Sequence, residues 1–136
     1  MAGISPGCDD GPMLADAPLQ AFVPATDLDR AADFYLHVLG LTLVERTPIA
    51  VVVDAAGVTV RITAVPDHRP PPGTTIGWVV DDATAAARWL ADQGVVMQRF
   101  DGMDQDDDGL WTAPSGDRVG WFADPDGNTL SITESG

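Results

Sequence analysis

The sequence has a single cysteine, few basic residues and no long hydrophobic run. Because Cys8 has no second cysteine to pair with, an intrachain disulfide and a cysteine-based metal cage are both excluded, which fits a reducing compartment. The longest apolar run, residues 49–53, is far shorter than the roughly 20 residues of a membrane-spanning helix. Residues 1–18 have no basic region followed by an apolar segment. We therefore predict neither export nor membrane insertion and expect a cytoplasmic protein.

The charge balance is strongly acidic, with seven basic against 21 acidic residues and a net charge of −14. Such a chain repels nucleic-acid phosphates and anionic membrane surfaces and attracts cations. We therefore predict that neither nucleic acid nor membrane is a partner. Acidity also serves as a general device for solubility, so it does not by itself identify a cationic ligand.

The length and composition predict one domain, since 136 residues with 45% apolar content can bury one sizeable core. Residues 1–17 are rich in Gly, Pro and Asp and show no sustained periodicity, so we interpret them as a flexible tail. The folded domain is predicted to cover residues 18–136.

The first half of the domain predicts one helix among short strands. Residues 19–23 form an apolar strand, and Thr26 and Asp27 offer side-chain acceptors for the start of a helix that ends before Gly40. Three β-rich runs follow, at residues 41–45, 49–53 and 58–64. The side chains predicted to form the buried stripe of the helix are Ala31, Phe34, Tyr35, Val38 and Leu39.

After a proline-rich loop at residues 66–73, the order of elements restarts. It predicts a strand at 75–80, a helix from 82 to about 93, and strands near 95–100, 110–112, 118–123 and 129–133. Asp27 and Gly40 recur as Asp81 and Gly94, a repeat with a period of 54 residues. We therefore predict an α+β fold of two βαβββ modules, at about 18–66 and about 74–136. One helix covers one face of each sheet, so the other face must curl around a partner module, a second subunit or a ligand.

Three passages carry a resemblance to a known family: residues 27–35 with 38–41, residues 79–82, and residues 122–128. In order and spacing they resemble the vicinal oxygen chelate superfamily, the glyoxalase/bleomycin-resistance/dioxygenase group, over residues 19–134. The resemblance implies two modules side by side whose sheets form an open cup, often completed by a second subunit. We therefore expect a homodimer with a small-molecule site in the cup. The turn at residues 124–128 is interpreted as structural.

Metal-dependent members of this superfamily place four ligands on inward strand positions, which the resemblance puts at Gln20, about Arg61, Thr75 and Ser131. None of these residues is His, Asp or Glu, and a guanidinium would repel a cation. Positions one residue away offer no better set. We therefore predict no metal and no cofactor.

Two other cation signals are weaker. His37 and His68 lie outside the cup-facing strands, so we favour surface or helix positions over a ligand role for both. Residues 104–109 match the start of a calcium-binding loop, but Ser115 stands where a bidentate Glu would close the sphere and no helix flanks the loop. Whether the Asp104–Asp108 loop binds a cation stays open.

Strand alternation predicts the side chains that face the cup. The residues predicted to bind the ligand are Gln20, Phe22, Arg61, Thr63, Thr75, Trp111, Trp121 and Ser131. This set suits a flat, partly polar organic molecule, because it combines aromatic rings, hydroxyls, an amide and one arginine. Arg61 needs either an acidic residue of a neighbouring strand or an anionic or enolic ligand group. Trp78 and Trp89 are assigned to the core.

Two functional classes follow. The first is a metal-free binding protein for a small molecule such as an antibiotic, as in antibiotic resistance. The second is an enzyme that acts without a metal, a lyase, an isomerase or a tailoring enzyme. No inward position holds a general base, although Glu45, Asp54 and Glu134 lie near strand ends. We favour binding, leave catalysis open, and place a metal-dependent glyoxalase or dioxygenase last.

Overall fold

The computed structural model describes residues 13–136, so Cys8 and most of the predicted tail lie outside the described residues. A short 3-10 turn at Leu14–Asp16 precedes the first sheet. The strands of this sheet are β1 (Gln20–Ala25), β2 (Thr42–Arg46), β3 (Ala50–Ala55) and β4 (Val58–Ala64). They lie in the order β1-β4-β3-β2, with β1 parallel to β4 and the other pairs antiparallel.

The second sheet repeats this topology. Its strands are β5 (Thr74–Val79), β6 (Trp111–Thr112), β7 (Arg118–Ala123) and β8 (Thr129–Glu134). They lie in the order β5-β8-β7-β6, and β5 is parallel to β8. Strands β1 and β5 contact each other, so the two sheets meet at these edges. The predicted fold class, α+β with paired βαβββ modules, is confirmed.

The first helix differs in part from the regular helix that its periodicity predicts. The α-helix α1 (Leu28–Ala32) begins at Asp27, whose side chain accepts from the backbone N–H groups of Asp29 and Arg30 at 3.0 and 3.2 Å. The chain then continues as a π-helix, Asp33–Val38. A π-turn is wider than an α-turn. The apolar spacing fits both geometries, so the sequence pattern did not reveal the change.

The second helix, α2 (Ala83–Asp92), follows its prediction closely. Asp82 caps it by accepting from the backbone N–H of Ala85 at 3.0 Å, a common way to satisfy the free donors of a first turn. Glu134 of β8 accepts from the N–H of Ala83 at 2.8 Å. The helix start is therefore tied to the last strand.

One hydrophobic core joins the two modules. Alternate residues of the strands and small residues on the inner faces of both helices form it. Its fully buried large side chains are Tyr35, Phe122, Ile62, Leu110, Leu130, Val23, Val51 and Val53. Because successive strand side chains point to opposite faces, this core occupies one face of each sheet, and the opposite face carries exposed side chains such as Phe22 together with the buried Val52 and Ser131.

The turn at residues 124–128 links the modules, as its structural interpretation predicts. Gly127, at φ +82°, donates its N–H to the carbonyl of Asp124 at 3.0 Å. The hydroxyl of Tyr35 donates to Asp124 Oδ2 at 2.7 Å, and the amide of Asn128 donates to the carbonyl of Pro24 at 2.9 Å. Both contacts cross from module 2 to module 1.

Two expectations were wrong. Residues 95–100 form no strand: the N–H of Gln98 donates to the carbonyl of Trp121 on β7 at 2.7 Å, but the side chain of Gln105 then interrupts the pairing, accepting from the N–H of Phe100 at 2.8 Å and donating to the carbonyl of Gln98 at 2.9 Å. Trp89 is not a core residue, since 45% of its surface is exposed. Trp78 is half-buried and stacks on Phe122. Within residues 13–136, no helix is long and apolar enough to cross a membrane.

Candidate functional site

The open faces of the two sheets form the candidate site. On β4, Val60 and Ile62 lie in the core, so Arg61 points to the opposite face; on β8, Leu130 and Ile132 place Ser131 likewise. We call this surface the cup face. By strand alternation and register it includes Gln20, Phe22, Glu45, Val52, Asp54, Thr59, Arg61, Thr63, Gly77, Trp111, Val119, Trp121, Thr129 and Ser131.

On the first sheet, Arg61 lies at the centre of a row across three strands. Phe22 of β1 and Val52 of β3 are its register partners on the two sides. Phe22 is 57% exposed, whereas Val52 is buried. The same pairing places Gln20 beside Thr59. A residue with an exposed aromatic ring thus lies next to a half-buried arginine.

On the second sheet, Trp121, Ser131 and Gly77 form the corresponding row. A side chain at position 77 would collide with the hydroxyl of Ser131. Glycine therefore leaves room for this hydroxyl over the strand backbone. Ser131 is itself among the few buried polar residues.

An aromatic cluster surrounds Trp121. The ring centroid of Trp111 lies 6.3 Å from that of Trp121, at an interplanar angle of 33°, and Phe100 meets Trp121 edge-on at 5.5 Å. Trp111 and Trp121 were predicted as site residues, and the structure brings them together. Phe100 was missed, because its segment resembled a strand and only the tertiary contact reveals its position. The aromatic cluster offers ring faces and edges for a flat molecule.

Thr75 lies at an irregularity of β5, where the register with β8 shifts between Thr74 and Ile76. Its side-chain oxygen is buried and has no hydrogen-bond partner within residues 13–136. A buried hydroxyl without a partner is destabilising, so this group gains most from a bound polar atom. The bulge interrupts the alternation from which its inward orientation was predicted.

The four positions where the family would place metal ligands do not fit a metal. Gln20, Arg61, Thr75 and Ser131 lie on β1, β4, β5 and β8 and together offer an amide, two hydroxyls and a permanent positive charge. Metal sites of this kind need imidazole or carboxylate donors. In the described part of the chain, no three His, Cys, Asp or Glu side chains are grouped to hold an ion.

The two histidines lie away from this surface. His37 is 76% exposed and lies 4.0 Å from Asp33 on the same helical turn. His68, in the proline-rich loop, is 2.6 Å from the amide oxygen of Asn128. The second contact ties the loop to the turn that links the modules, which gives His68 a structural role.

The acidic loop uses its carboxylates internally. Asp106 accepts from the N–H groups of Asp108 and Leu110, both at 2.9 Å, and from Arg118 at 3.0 Å, while Asp108 pairs with Arg88 at 3.3 Å. Partial burial alone would raise the pKa of Asp106, but these donors outweigh it and hold the pKa below its usual value. The carboxylates therefore stabilise the loop itself.

Two of the three acidic residues near strand ends also accept hydrogen bonds from backbone N–H groups. Glu134 accepts from the start of α2 and lies 3.9 Å from Arg118, and Asp54 accepts from the N–H of Gly57 at 3.3 Å. Glu45 lies exposed on β2. Glu134 and Asp54 thus hold structural hydrogen bonds.

An apolar groove of about 250 Å³ lies elsewhere, between the end of the first helix and α2. Leu39, Leu41, Trp78 and Trp89 are among its lining residues, and none of the eight residues predicted to bind the ligand contributes to it. It is therefore separate from the cup face.

These features define a class of proteins in which two βαβββ modules lie side by side and present an open face with polar and aromatic side chains. The chain belongs to the Glyoxalase/Bleomycin resistance protein/Dioxygenase superfamily, whose family model matches residues 18–132. No curated protein matches the sequence.

Solved structures share this fold. A member of the same superfamily from Sphaerobacter thermophilus DSM 20745 is 27% identical, with a TM-score of 0.67 over 88% of this chain and 97% of that one. The antibiotic-binding protein TnmS3 from Streptomyces sp. CB03234 is 22% identical, with a TM-score of 0.69 over 91% and 99%. A lactoylglutathione lyase from Agrobacterium tumefaciens is 20% identical, with a TM-score of 0.66 over 87% and 92%.

Proposed function

We propose that this chain is a metal-free small-molecule-binding protein whose cup face binds a flat, partly polar organic molecule. The aromatic cluster of Phe100, Trp111 and Trp121 carries the proposal. Such rings bury a large apolar area and stack on planar ligands. Hydroxyl and amide groups on the same face, from Ser131 and Gln20, would orient the ligand.

Binding without a metal is supported by the residues at the four family positions. Arg61 places a permanent positive charge where a cation would need a negative or neutral donor. Binding rather than catalysis is supported by Asp54 and Glu134, since both carboxylates are engaged in structural hydrogen bonds.

We infer that the ligand class includes aromatic antibiotics, a use for which this fold is suited, since TnmS3 is an antibiotic-binding protein. We further propose that the protein works as a homodimer in the cytoplasm, in keeping with its single cysteine and acidic charge. A role in antibiotic resistance by sequestration is consistent with both.

The metal-free proposal is tested by elemental analysis of protein purified without chelator, together with thermal unfolding in the presence of Zn²⁺, Ni²⁺, Mn²⁺ or Fe²⁺. We expect substoichiometric metal and no increase in Tm with any ion. A stoichiometric transition metal would refute the ligand-position argument, and a lyase or dioxygenase activity should then be sought.

The binding proposal is tested by thermal unfolding with a tetracycline, a quinolone, an anthracycline and novobiocin. We expect at least one of them to raise Tm, and Trp121→Ala to weaken its binding roughly tenfold, since a lost stacking contact is worth on the order of 1 kcal/mol beyond the buried area. Trp89→Ala, on the helix side, is the matched control and should leave affinity unchanged. Equal losses for both variants would argue against the cup face.

A further inference from the structure

We propose that the ligand of the cup face carries a carboxylate that pairs with Arg61. This inference rests on the proposed function, since it names the chemical class of the same ligand. Its basis is the juxtaposition on adjacent strands of a half-buried arginine, which has no partner within residues 13–136, with an exposed aromatic ring, Phe22.

Five of the other six arginines have partners within residues 13–136, and the sixth, Arg69, lies exposed in the proline-rich loop. Salt bridges join Arg30 to Asp126, Arg46 to Asp29, Arg88 to Asp108 and Arg118 to Asp106. Arg99 instead donates to the backbone carbonyls of Gln105 and Asp107, at 3.4 and 2.9 Å.

Arg61 differs from them. Within residues 13–136 no carboxylate lies within 4.0 Å of Arg61, and its guanidinium makes no hydrogen bond. The chain carries three times as many acidic as basic residues, so an unpaired inward arginine is not explained by a shortage of acids.

The surroundings of Arg61 suit an anion. Phe22 and Val52 flank it on the neighbouring strands, and Thr59 and Thr63, two positions away along β4, share its face. Apolar flanks reduce the local dielectric and so strengthen a guanidinium–carboxylate pair. The two hydroxyls supply further donors for a second oxygen.

Two acidic residues share this part of the sheet. Glu45 lies in the same row beyond Val52, and Asp54 is the register partner of Thr59. Neither approaches Arg61 to within 4.0 Å among the salt bridges of the described chain. The two carboxylates therefore make this part of the sheet polar but form no ion pair with Arg61.

The net charge of −14 attracts cations at long range, which opposes the inference. At physiological ionic strength, however, charges farther apart than about 8 Å are largely screened. A guanidinium in direct contact with the ligand therefore decides the preferred charge.

Three probes with one ring system test the inference: 2-naphthoate, 2-naphthamide and 2-naphthylmethylammonium, which carry charges of about −1, 0 and +1 at pH 7 by the usual ionisation of these groups. Affinity is measured by tryptophan fluorescence or calorimetry in 0.15 M NaCl. We expect the intact protein to bind naphthoate at least tenfold more tightly than naphthamide, and the ammonium compound least tightly.

Variants assign this preference to Arg61. Arg61→Gln should bind naphthoate and naphthamide with equal affinity, and Arg61→Lys should keep part of the preference, because it retains the charge but loses the bidentate geometry. Arg69→Gln, in the exposed proline-rich loop, is the control and should keep the full preference. Circular dichroism of each variant confirms that it is folded.

The outcomes separate the inference from the proposed function. Saturable binding of all three probes with equal affinity, or a preference for naphthoate that survives in Arg61→Gln, overturns the inference and leaves the binding function intact. If the intact protein binds none of the three naphthyl probes, the proposed function fails for flat aromatic ligands and the inference fails with it.

Discussion

Tyr35 shows how one residue links the two modules. Its ring is fully buried, and its hydroxyl donates to the buried carboxylate of Asp124 at 2.7 Å. Burial, and next the nearby negative charge of Asp124, raise the pKa of Tyr35 far above its usual value of about 10. The folded state therefore requires the neutral phenol.

This requirement predicts a loss of stability at alkaline pH. Above about pH 10 the unfolded chain releases the phenolic proton while the folded chain keeps it, so the free energy of unfolding falls as pH rises. By pH 11 the loss is about 1.4 kcal/mol for a group with an unfolded pKa of about 10. Tyr35→Phe should be less stable at neutral pH by about 1–3 kcal/mol, because Asp124 loses a donor, but should not show this alkaline loss.

The composition makes this measurement clean. Tyr35 is the single tyrosine, and all seven basic residues are arginines, so Tyr35 and Cys8 are the side chains that titrate near pH 10. Denaturant unfolding is followed at several pH values in a Cys8→Ser background. Tyrosinate absorbance near pH 10 in the folded protein would show that the phenol is not held neutral.

At the scale of elements, local periodicity was sufficient where the core face alternates strictly. Residues 58–64 and 118–123 were predicted as strands with the bounds of β4 and β7, because Val60, Ile62 and Phe122 mark one buried face. The segment at 95–100 has a similar local pattern, but it makes a single backbone hydrogen bond to β7, from Gln98 to Trp121, and the side chain of Gln105 interrupts further pairing. Such a contact depends on the tertiary fold and leaves no local signal.

The acidic loop provides a test at this scale. Asp106→Asn keeps an acceptor oxygen for the two backbone N–H groups but loses the charge that faces Arg118. Because 43% of the Asp106 side chain is exposed, we expect a loss of about 1 kcal/mol or less at pH 7.

The pH dependence gives the sign of this effect. The pKa of Asp106 is lowered in the folded state, so its stabilisation is present above the unfolded pKa of about 4 and is lost as pH falls further. The difference between the intact protein and Asp106→Asn should therefore shrink below pH 4, as measured by denaturant unfolding. Asp104→Asn, whose carboxylate accepts no hydrogen bond within the described chain, is the control. An equal effect of both substitutions would contradict the role given to Asp106.

At the scale of the whole molecule, the internal repeat predicted two modules and the face of most site residues, but not their mutual distances. Alternation placed Arg61, Trp121 and Ser131 on the open face because their strand neighbours are core residues. It could not place Thr75, since the β5 bulge disrupts the two-residue period, and it could not reveal that Arg61 has no partner among residues 13–136. Those properties depend on contacts between strands distant in sequence.

The described surface leaves large apolar side chains uncovered, with exposures of 77% for Leu19, 71% for Ile49, 82% for Val79 and 84% for Val96. Exposed apolar side chains of this size are available for contact with a second subunit, which the open cup of the family fold often uses. We therefore expect sedimentation velocity to give twice the 14.3 kDa chain mass at micromolar concentration. Both subunits are strongly acidic, and salt screens the repulsion between them. The dissociation constant of the dimer should therefore fall as NaCl is raised from 20 to about 300 mM. A monomer that persists at 100 µM protein in the higher salt would contradict the dimer. A dimer that dissociates more readily as salt is raised would show that ion pairs rather than apolar contacts hold the subunits together.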